Sequence, residues 1–243
     1  MKLMQLNAWA GRLEKPLHTY LEKSSVDIAC MQEIIDFSGS IGGLATPSNR
    51  IQKHLDCEYA YFSPLFTGQF TGRMMAFGNA VYSKFPLVKQ ETIFTRGVFK
   101  EDFDFDTDDY NIRALQHVTL DVKGKMVHIL NHHGHHIDSH KNGDEETERQ
   151  ATQIRGYIRS LEGPVILCGD FNLSPTSKSI EIISSDLRNL SSEHRLTTTR
   201  SLLTTKNEVC DYIFINDEVK LNHFYMPDEI VSDHNALILD FDI

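Results

Sequence analysis

Long apolar runs are missing from this chain of 243 residues. A membrane-spanning helix needs roughly 20 consecutive apolar residues, and no stretch supplies them. The opening residues, MKLMQLNAWAGR, carry one lysine and no apolar core of useful length, so no signal peptide is expected. Cysteine is scarce. Cys30, Cys57, Cys168 and Cys210 form no CxxC pair, and so few in a chain of this size do not make a disulfide framework. Cys30, Cys168 and Cys210 sit in or beside apolar runs and read as small buried hydrophobes. A reduced, cytoplasmic protein is expected. Positive charge is also short: 24 Lys and Arg against 34 Asp and Glu leave a formal net charge of −10. That balance argues against broad, non-specific binding to phosphate backbones, although bound cations or a local basic rim can offset it. No fixed-period repeat and no Pro/Gly/Ser linker divides the chain, so one domain is expected over residues 1–243.

What is present is a series of short apolar runs separated by turn residues. MKLMQLNAW, DIACMQEII, NAVYSKFPLV, RALQHVTLDV, MVHILNHH, PVILCGDF, VCDYIFIN and NALILDFDI read as strands, with VKGKM as a hairpin turn. EKPLHTYLEKSS has Leu17, Tyr20 and Leu21 at helical spacing. EETERQATQIRGYIRSLEG has Ala151, Ile154, Ile158 and Leu161, stopped by Gly163-Pro164. PTSKSIEIISS reads as a shorter helix. Two polar stretches, 99–111 and 135–146, read as long loops near a site. Strand and helix order alone indicates an α/β or α+β domain with several buried strands.

Polar residues recur at the ends of these runs. Asn7 closes the first strand, Glu33 closes the second, and His133 follows VHILNH. Asp170 and Asn172 follow VILCG, Asp211 stands just inside CDYIFI, and Asp233 and His234 precede the last strand. Strand ends of one sheet system lie close together, so these groups can converge. Glu33 and Asp233, with Asn7 as a neutral oxygen ligand, suit a hard divalent cation such as Mg²⁺. Asp170 can take a proton from an attacking water, and Asn172 can aim its amide at that water or at a phosphate oxygen. Asp211 can orient His234 and stabilise its charged form, and His133 can donate to a phosphoryl oxygen. Such a set describes metal-assisted attack of water on a phosphate ester.

The sequence resembles the endonuclease/exonuclease/phosphatase superfamily. The matching pieces run in the family's order along nearly the whole chain: LNAWAGRL, SVDIACMQEII, GNAVYSKFPL, VHILNHH, VILCGDFNLSP, CDYIFIN and SDHNALILDF. GDFN and SDH are the most specific. The resemblance implies a four-layer α/β sandwich, with two mixed β-sheets packed face to face and helices on the outside. It implies Asn7, Glu33 and Asp233 on the metal side, Mg²⁺ as cofactor with Mn²⁺ able to substitute, and catalytic roles for Asp170, Asn172, His133, Asp211 and His234. NHHG departs from the family's commoner Thr-His; alternation after Ile129 and Asn131 points to His133 over His132. Asn79 in GNAVYS and Trp9 are candidates for substrate contact, Trp9 with core packing as an equal alternative.

Other readings compete. The histidines His132, His133, His135, His136 and His140 match no common zinc spacing. The acidic run from Glu101 to Asp109 lacks the glycine and terminal glutamate of an EF-hand, and Phe103 and Phe105 suggest a loop anchored by two rings. Lys and Arg, among them Arg73, Lys84, Lys141, Lys178, Arg195 and Arg200, are scattered in sequence, which gives an inositol-phosphate pocket no support. The expected partner is a phosphate-ester substrate, led by nucleic acid or a nucleotide-type ester, with no obligate protein partner evident. A phospholipid or sphingomyelin headgroup, an inositol phosphate, and a non-catalytic binding module of the same fold are the alternatives.

Overall fold

A computed structural model describes residues 1–37 and 48–243. In chain order its elements begin with β1 (Lys2–Asn7), α1 (Glu14–Ser24), β2 (Ile28–Phe37), α2 (Ser48–His54), β3 (Tyr59–Phe70), β4 (Arg73–Ser83) and β5 (Leu87–Arg96). They continue with β6 (Arg113–Val122), β7 (Lys125–His133), α3 (Glu145–Ile158), β8 (Val165–Asp170) and α4 (Lys178–Ser184). Last come β9 (Arg188–Asn189), α5 (Leu190–Glu193), β10 (Asp211–Ile215), β11 (Lys220–Tyr225) and β12 (Leu237–Asp242). The strands form two six-stranded sheets, ordered β11-β12-β1-β2-β4-β3 and β5-β6-β7-β8-β10-β9. Each is mixed: β1 and β2 run parallel in the first, β7 and β8 in the second, and the other pairings are antiparallel.

The period-2 alternation of strand side chains decides which residues meet between the sheets. Leu3, Cys30, Val81, Leu237 and Leu239 of the first sheet pack against Val118, Ile129, Ile166, Cys168 and Ile213 of the second. The outer face of the first sheet, with Met4, Leu6, Ala29 and Met31, takes Leu17 and Leu21 of α1 and Ile51 of α2. The outer face of the second, with Leu130 and Leu167, takes Ala151, Ile154 and Ile158 of α3 and Ile180 of α4. Helix, sheet, sheet and helix therefore stack as four layers, as the family resemblance implies.

The inward faces change character along the strands. Leu3 is followed inward by Gln5 and Asn7, Ile129 by Asn131 and His133, and Cys168 by Asp170. The middle residues form a buried ladder. Gln5 Nε2 donates to Gln32 Oε1 at 2.9 Å, Gln32 Nε2 to Asn131 Oδ1 at 2.6 Å, and Asn131 Nδ2 to Gln116 Oε1 at 3.0 Å. Side-chain amides suit this layer because each can donate and accept at once, and among the described residues only Gln5 Oε1 of the four is left without a partner. The ladder couples the two sheets just below the strand ends where the chemistry-bearing residues sit.

Several sequence expectations need correction. NAVYSKFPLV is not one strand: it covers the end of β4, a turn, and the start of β5. The long strand β3 was not expected, because Pro64 interrupts its aromatic pattern; the pairing with β4 shifts register between Pro64 and Phe66, a bulge that tolerates the proline. The charged strand β11 also carries no clear alternation. Helix α3 starts at a capping box, with Asp144 accepting from the Thr147 amide, but stops at Ile158 rather than at Gly163. Phe103 does anchor the acidic loop, stacked on Phe66 at 4.0 Å between ring centres, with Phe105 edge-on at 5.4 Å.

Two buried imidazoles tie stability to pH. Burial, reinforced by His128, lowers the pKa of His117 to about 4, and burial lowers that of His132 to about 4. His117 is wedged between Tyr157 Oη at 2.8 Å and His128 Nδ1 at 3.0 Å. The unfolded chain binds these protons near pH 6.5 and the folded chain only near 4, so their contribution is complete above 6.5 and is lost as pH falls toward 4. The melting temperature should drop between pH 7 and 4.5, and His117→Gln should flatten that dependence; an unchanged slope in the variant would contradict the assignment. Gly169 is held at φ +150°, and any Cβ there would overlap the His132 carbonyl. Gly169→Ala should therefore fail to give a folded protein by circular dichroism.

Candidate active site

The C-terminal ends of β1, β7 and β8, the middle of β2 and the start of β10 open on one side, into a cleft of about 640 Å³; Glu33, expected to close its strand, lies inside β2. Register brings the residues together: His133 and Asp211 both lie opposite Asp170, and Asn7 lies opposite Gln32, next to Glu33. A register shift in β2 between Met31 and Ile34 frees Glu33, at φ +55°, to turn into the cleft. Asn172 follows β8 at φ +57°, a left-handed conformation that asparagine tolerates better than most residues. Gly134 lets the two chains cross, because a Cβ there would meet the Phe171 carbonyl.

Asp170 is 1% exposed. Its Oδ2 accepts from Asn7 Nδ2 at 3.1 Å and its Oδ1 from the Asn172 amide at 2.9 Å. His234 Nε2 lies 3.6 Å away and His133 Nε2 3.9 Å away. Burial alone would raise the pKa of Asp170, but His234, Arg200 and His133 hold it well below the ordinary carboxylate range. The carboxylate is thus charged at every physiological pH.

His234 Nδ1 faces Asp211 Oδ2 at 2.9 Å. Burial would lower the imidazole's pKa, but Asp211 and Asp170 push it up to about 9. Asp211 is itself fully committed: Thr199 Oγ1 donates to Oδ2 at 2.6 Å and Gln5 Nε2 to Oδ1 at 3.0 Å. The Gln/Asn ladder therefore ends on the carboxylate that orients His234. His133 points into the site, its pKa driven well below normal by burial and by Arg113. His132 points the other way, its ring 5.2 Å from that of Phe171, so of the two it is His133 that faces the cleft, the side strand alternation indicated.

Glu33 retains 26% side-chain exposure, and the imidazole Nε2 of His133 stands 3.9 Å from its carboxylate. Burial raises its pKa, which Asn7 partly offsets. A carboxylate drawn from water beside Asp170 and Asp233 without a close cation suits a hard divalent ion. Asp170, Asp211 and His234 also place one ligand atom each within 4.8 Å of one another, the one such group among the described residues. No comparable group gathers in the histidine stretch or the acidic loop.

Three expectations about site residues change. Asn7 presents Nδ2, not oxygen, to Glu33 (3.1 Å) and Asp170, because its Oδ1 accepts from the Trp9 amide at 3.0 Å. Asn79 does not reach the cleft: it is fully buried between the sheets, its amide making no hydrogen bond among the described residues. Of the cations read as scattered, Arg200 lines the cleft, where Arg12, Arg113 and Lys206 join it beside Trp9. Arg12 lies over the Trp9 ring at 4.9 Å.

Sequence reading missed Arg113, Arg200, His136 and Lys141 as site residues. Arg113 is buried and donates to the carbonyls of Gly134 (2.6 Å) and Tyr110 (2.9 Å), pinning both long loops to the cleft. His136 Nδ1 lies 3.0 Å from Asn172 Oδ1, and Lys141 Nζ lies 3.0 Å from the same imidazole nitrogen. Only the two polar loops hinted at these partners.

With the geometry in place, comparison with known proteins gives the family. The sequence profile of the Endonuclease/Exonuclease/phosphatase family matches residues 4–234. The chain belongs to this family. Its members are hydrolases acting on phosphoester bonds. No curated protein matches the chain in sequence. Its fold is similar to that of an endonuclease/exonuclease/phosphatase from Beutenbergia cavernae DSM 12333, at a TM-score of 0.75 and 16% identity, covering 99% of this chain and 71% of that one. It is also similar to the mannosyl-6-phosphatase of Bacteroides thetaiotaomicron VPI-5482, at 0.66 and 15%, covering 100% of both. A humanized D. rerio TDP2 carrying 14 mutations gives 0.70 and 14%, covering 100% of this chain and 99% of that one.

Thr199 supports the site from behind, donating to Asp211 and accepting from the Cys210 and Asp211 amides at 3.0 and 3.2 Å. Thr199→Val should cost about 1–3 kcal/mol in urea unfolding, the penalty of leaving buried polar groups unpaired. A loss below a few tenths would show that these bonds do not matter.

Proposed function

We propose that residues 1–243 act as a single-domain, divalent-cation-dependent phosphoesterase, with Mg²⁺ as the resident ion and Mn²⁺ able to replace it. The observation that carries this reading is the convergence of Glu33, Asp170, His133 and the Asp211–His234 pair on one cleft. Glu33 and Asp233 would hold the cation, and Asn7 would join them only by turning its amide oxygen inward. When bound, the ion supplies positive charge to the phosphate and its leaving oxygen.

The protein's own groups divide the remaining work. Asp170 positions the attacking water and accepts its proton. A carboxylate with so low a pKa is a weak base, but an incoming phosphate anion neutralises His234 and Arg200 and restores its proton affinity. Asn172, steadied by His136, fixes the line of attack. His234, held by Asp211, donates to a phosphoryl oxygen as charge builds there, and His133 offers a second donor.

A phosphodiester of nucleotide type is the lead substrate. Asp108, Asp109 and Asp138 on the cleft wall disfavour a long duplex and favour a compact ester. A phosphomonoester is the second reading, favoured by the four cations that line the same wall. A cytoplasmic setting fits four buried, unpaired cysteines. Among the described residues no helix is long and apolar enough to cross a membrane.

The test is a panel of bis-p-nitrophenyl phosphate, p-nitrophenyl phosphate, DNA, RNA, sphingomyelin and inositol phosphates, run with Mg²⁺ and with EDTA. Turnover should require the metal. Asp170→Ala and His234→Ala should each lower kcat by at least about 10²-fold, with the fold retained. Near-normal turnover in either variant would overturn these roles.

A further inference from the structure

Arg200 was not expected in the site, yet it sits at its centre. Its side chain is 4% exposed and lines the cleft. The backbone fixes it there: Arg200 and His234 form an antiparallel bridge, flanked by hydrogen bonds from the Ser201 amide to the Asp233 carbonyl (2.9 Å) and from the Asn235 amide to the Thr199 carbonyl (2.8 Å).

The guanidinium has less to bond to than a buried cation requires. It has donors and no acceptor. Nη1 meets Nε2 of His234, whose other nitrogen is taken by Asp211. Nε makes no hydrogen bond among the described residues. Asp233 Oδ2, the carboxylate nearest in kind to a salt-bridge partner, stands 3.8 Å from Nη1, beyond hydrogen-bond reach. A purely structural arginine at this depth would close its fork on a carboxylate or on carbonyls, as Arg113 does with Gly134 and Tyr110. Arg200 instead keeps a buried Nε without a partner among the described residues, on a side chain that lines the cleft together with His234 and Asp170.

We infer that Arg200 is a catalytic residue that binds a non-bridging oxygen of the substrate phosphate, sharing it with His234. An oxygen placed between them accepts from both groups and satisfies the buried guanidinium. Binding strengthens as the oxygen gains charge during attack, so the interaction favours the transition state over the ground state. This inference rests on the proposed phosphoesterase reading, but its binding measurement does not.

Arg200→Ala and Arg200→Lys would be compared with the unaltered protein in Mg²⁺-supported hydrolysis of p-nitrophenyl phosphate and bis-p-nitrophenyl phosphate. Inorganic phosphate binding would be followed by calorimetry, and melting curves would establish that each variant is folded. Arg200→Ala should lose about 10²-fold in kcat/KM, the usual effect of removing one preorganised donor. Added guanidinium chloride should restore part of that loss, and Arg200→Lys should fall between. Phosphate affinity should weaken at least about tenfold, since a charge-assisted bond is worth more than 1.4 kcal/mol. A folded Arg200→Ala with kcat/KM within threefold and phosphate affinity within twofold of the unaltered protein would overturn the inference and leave the phosphoesterase reading standing. Phosphate binding that depends on Arg200, in a protein that hydrolyses neither ester, would sink the phosphoesterase reading and keep the anion site. Absence of both binding and hydrolysis in the unaltered protein would end both.

Discussion

A carboxylate removed from water must be paired, and Asp170 is the carboxylate this structure is arranged around. It ends a central strand of the second sheet, deep enough that an unpaired charge would cost several kcal/mol. Its partners arrive from everywhere else: Asn7 from the first sheet, His133 from the neighbouring strand, His234 from the segment before the last strand, and Arg200 from a loop. None of these groups is held locally. Each depends on the two sheets keeping their separation and their registers, so the site and the four-layer fold stand or fall together.

The inter-sheet space explains how this is held. Along each inward face the residues pass from aliphatic to amide to acid or imidazole. The aliphatic part supplies most of the hydrophobic stabilisation between the sheets. The amide ladder Gln5–Gln32–Asn131–Gln116 is a transition layer in which most polar groups lose water but keep partners, Gln5 Oε1 excepted. It adds specificity of register, because a slip of one residue would turn an amide into the helix-facing layer and leave its partners unpaired. Its contact with Asp211 passes that rigidity to His234.

Much of this was legible in the chain. Strands with period-2 patterns, the helix beginning at Asp144 and the polar residue at each strand end follow from local chemistry, and the family resemblance ordered them. His133 could be chosen over His132 because alternation is a property of the strand itself. Other features were hidden for identifiable reasons. β3 contains Pro64, which a bulge accommodates only once β4 is beside it. Asn79 looked like a site residue because GNAVYS matches a piece of the family pattern, but it lies inside β4, fully buried beneath the cleft. The amide of Asn7 was assigned by residue type, whereas its orientation is set by the Trp9 backbone.

By itself the sequence determined which residues face inward and which chemical groups stand at or near strand ends, because those depend on spacing along one strand, while the order of its motifs carried the family resemblance. Only the tertiary structure decided that Arg200 and Arg113 belong to the site, that Lys141 and His136 brace Asn172, and that Asp211 ends a ladder crossing both sheets. These depend on loop closure and on packing between residues far apart in the chain, where no periodicity carries information. A charge in a loop has no direction until the elements around it have docked.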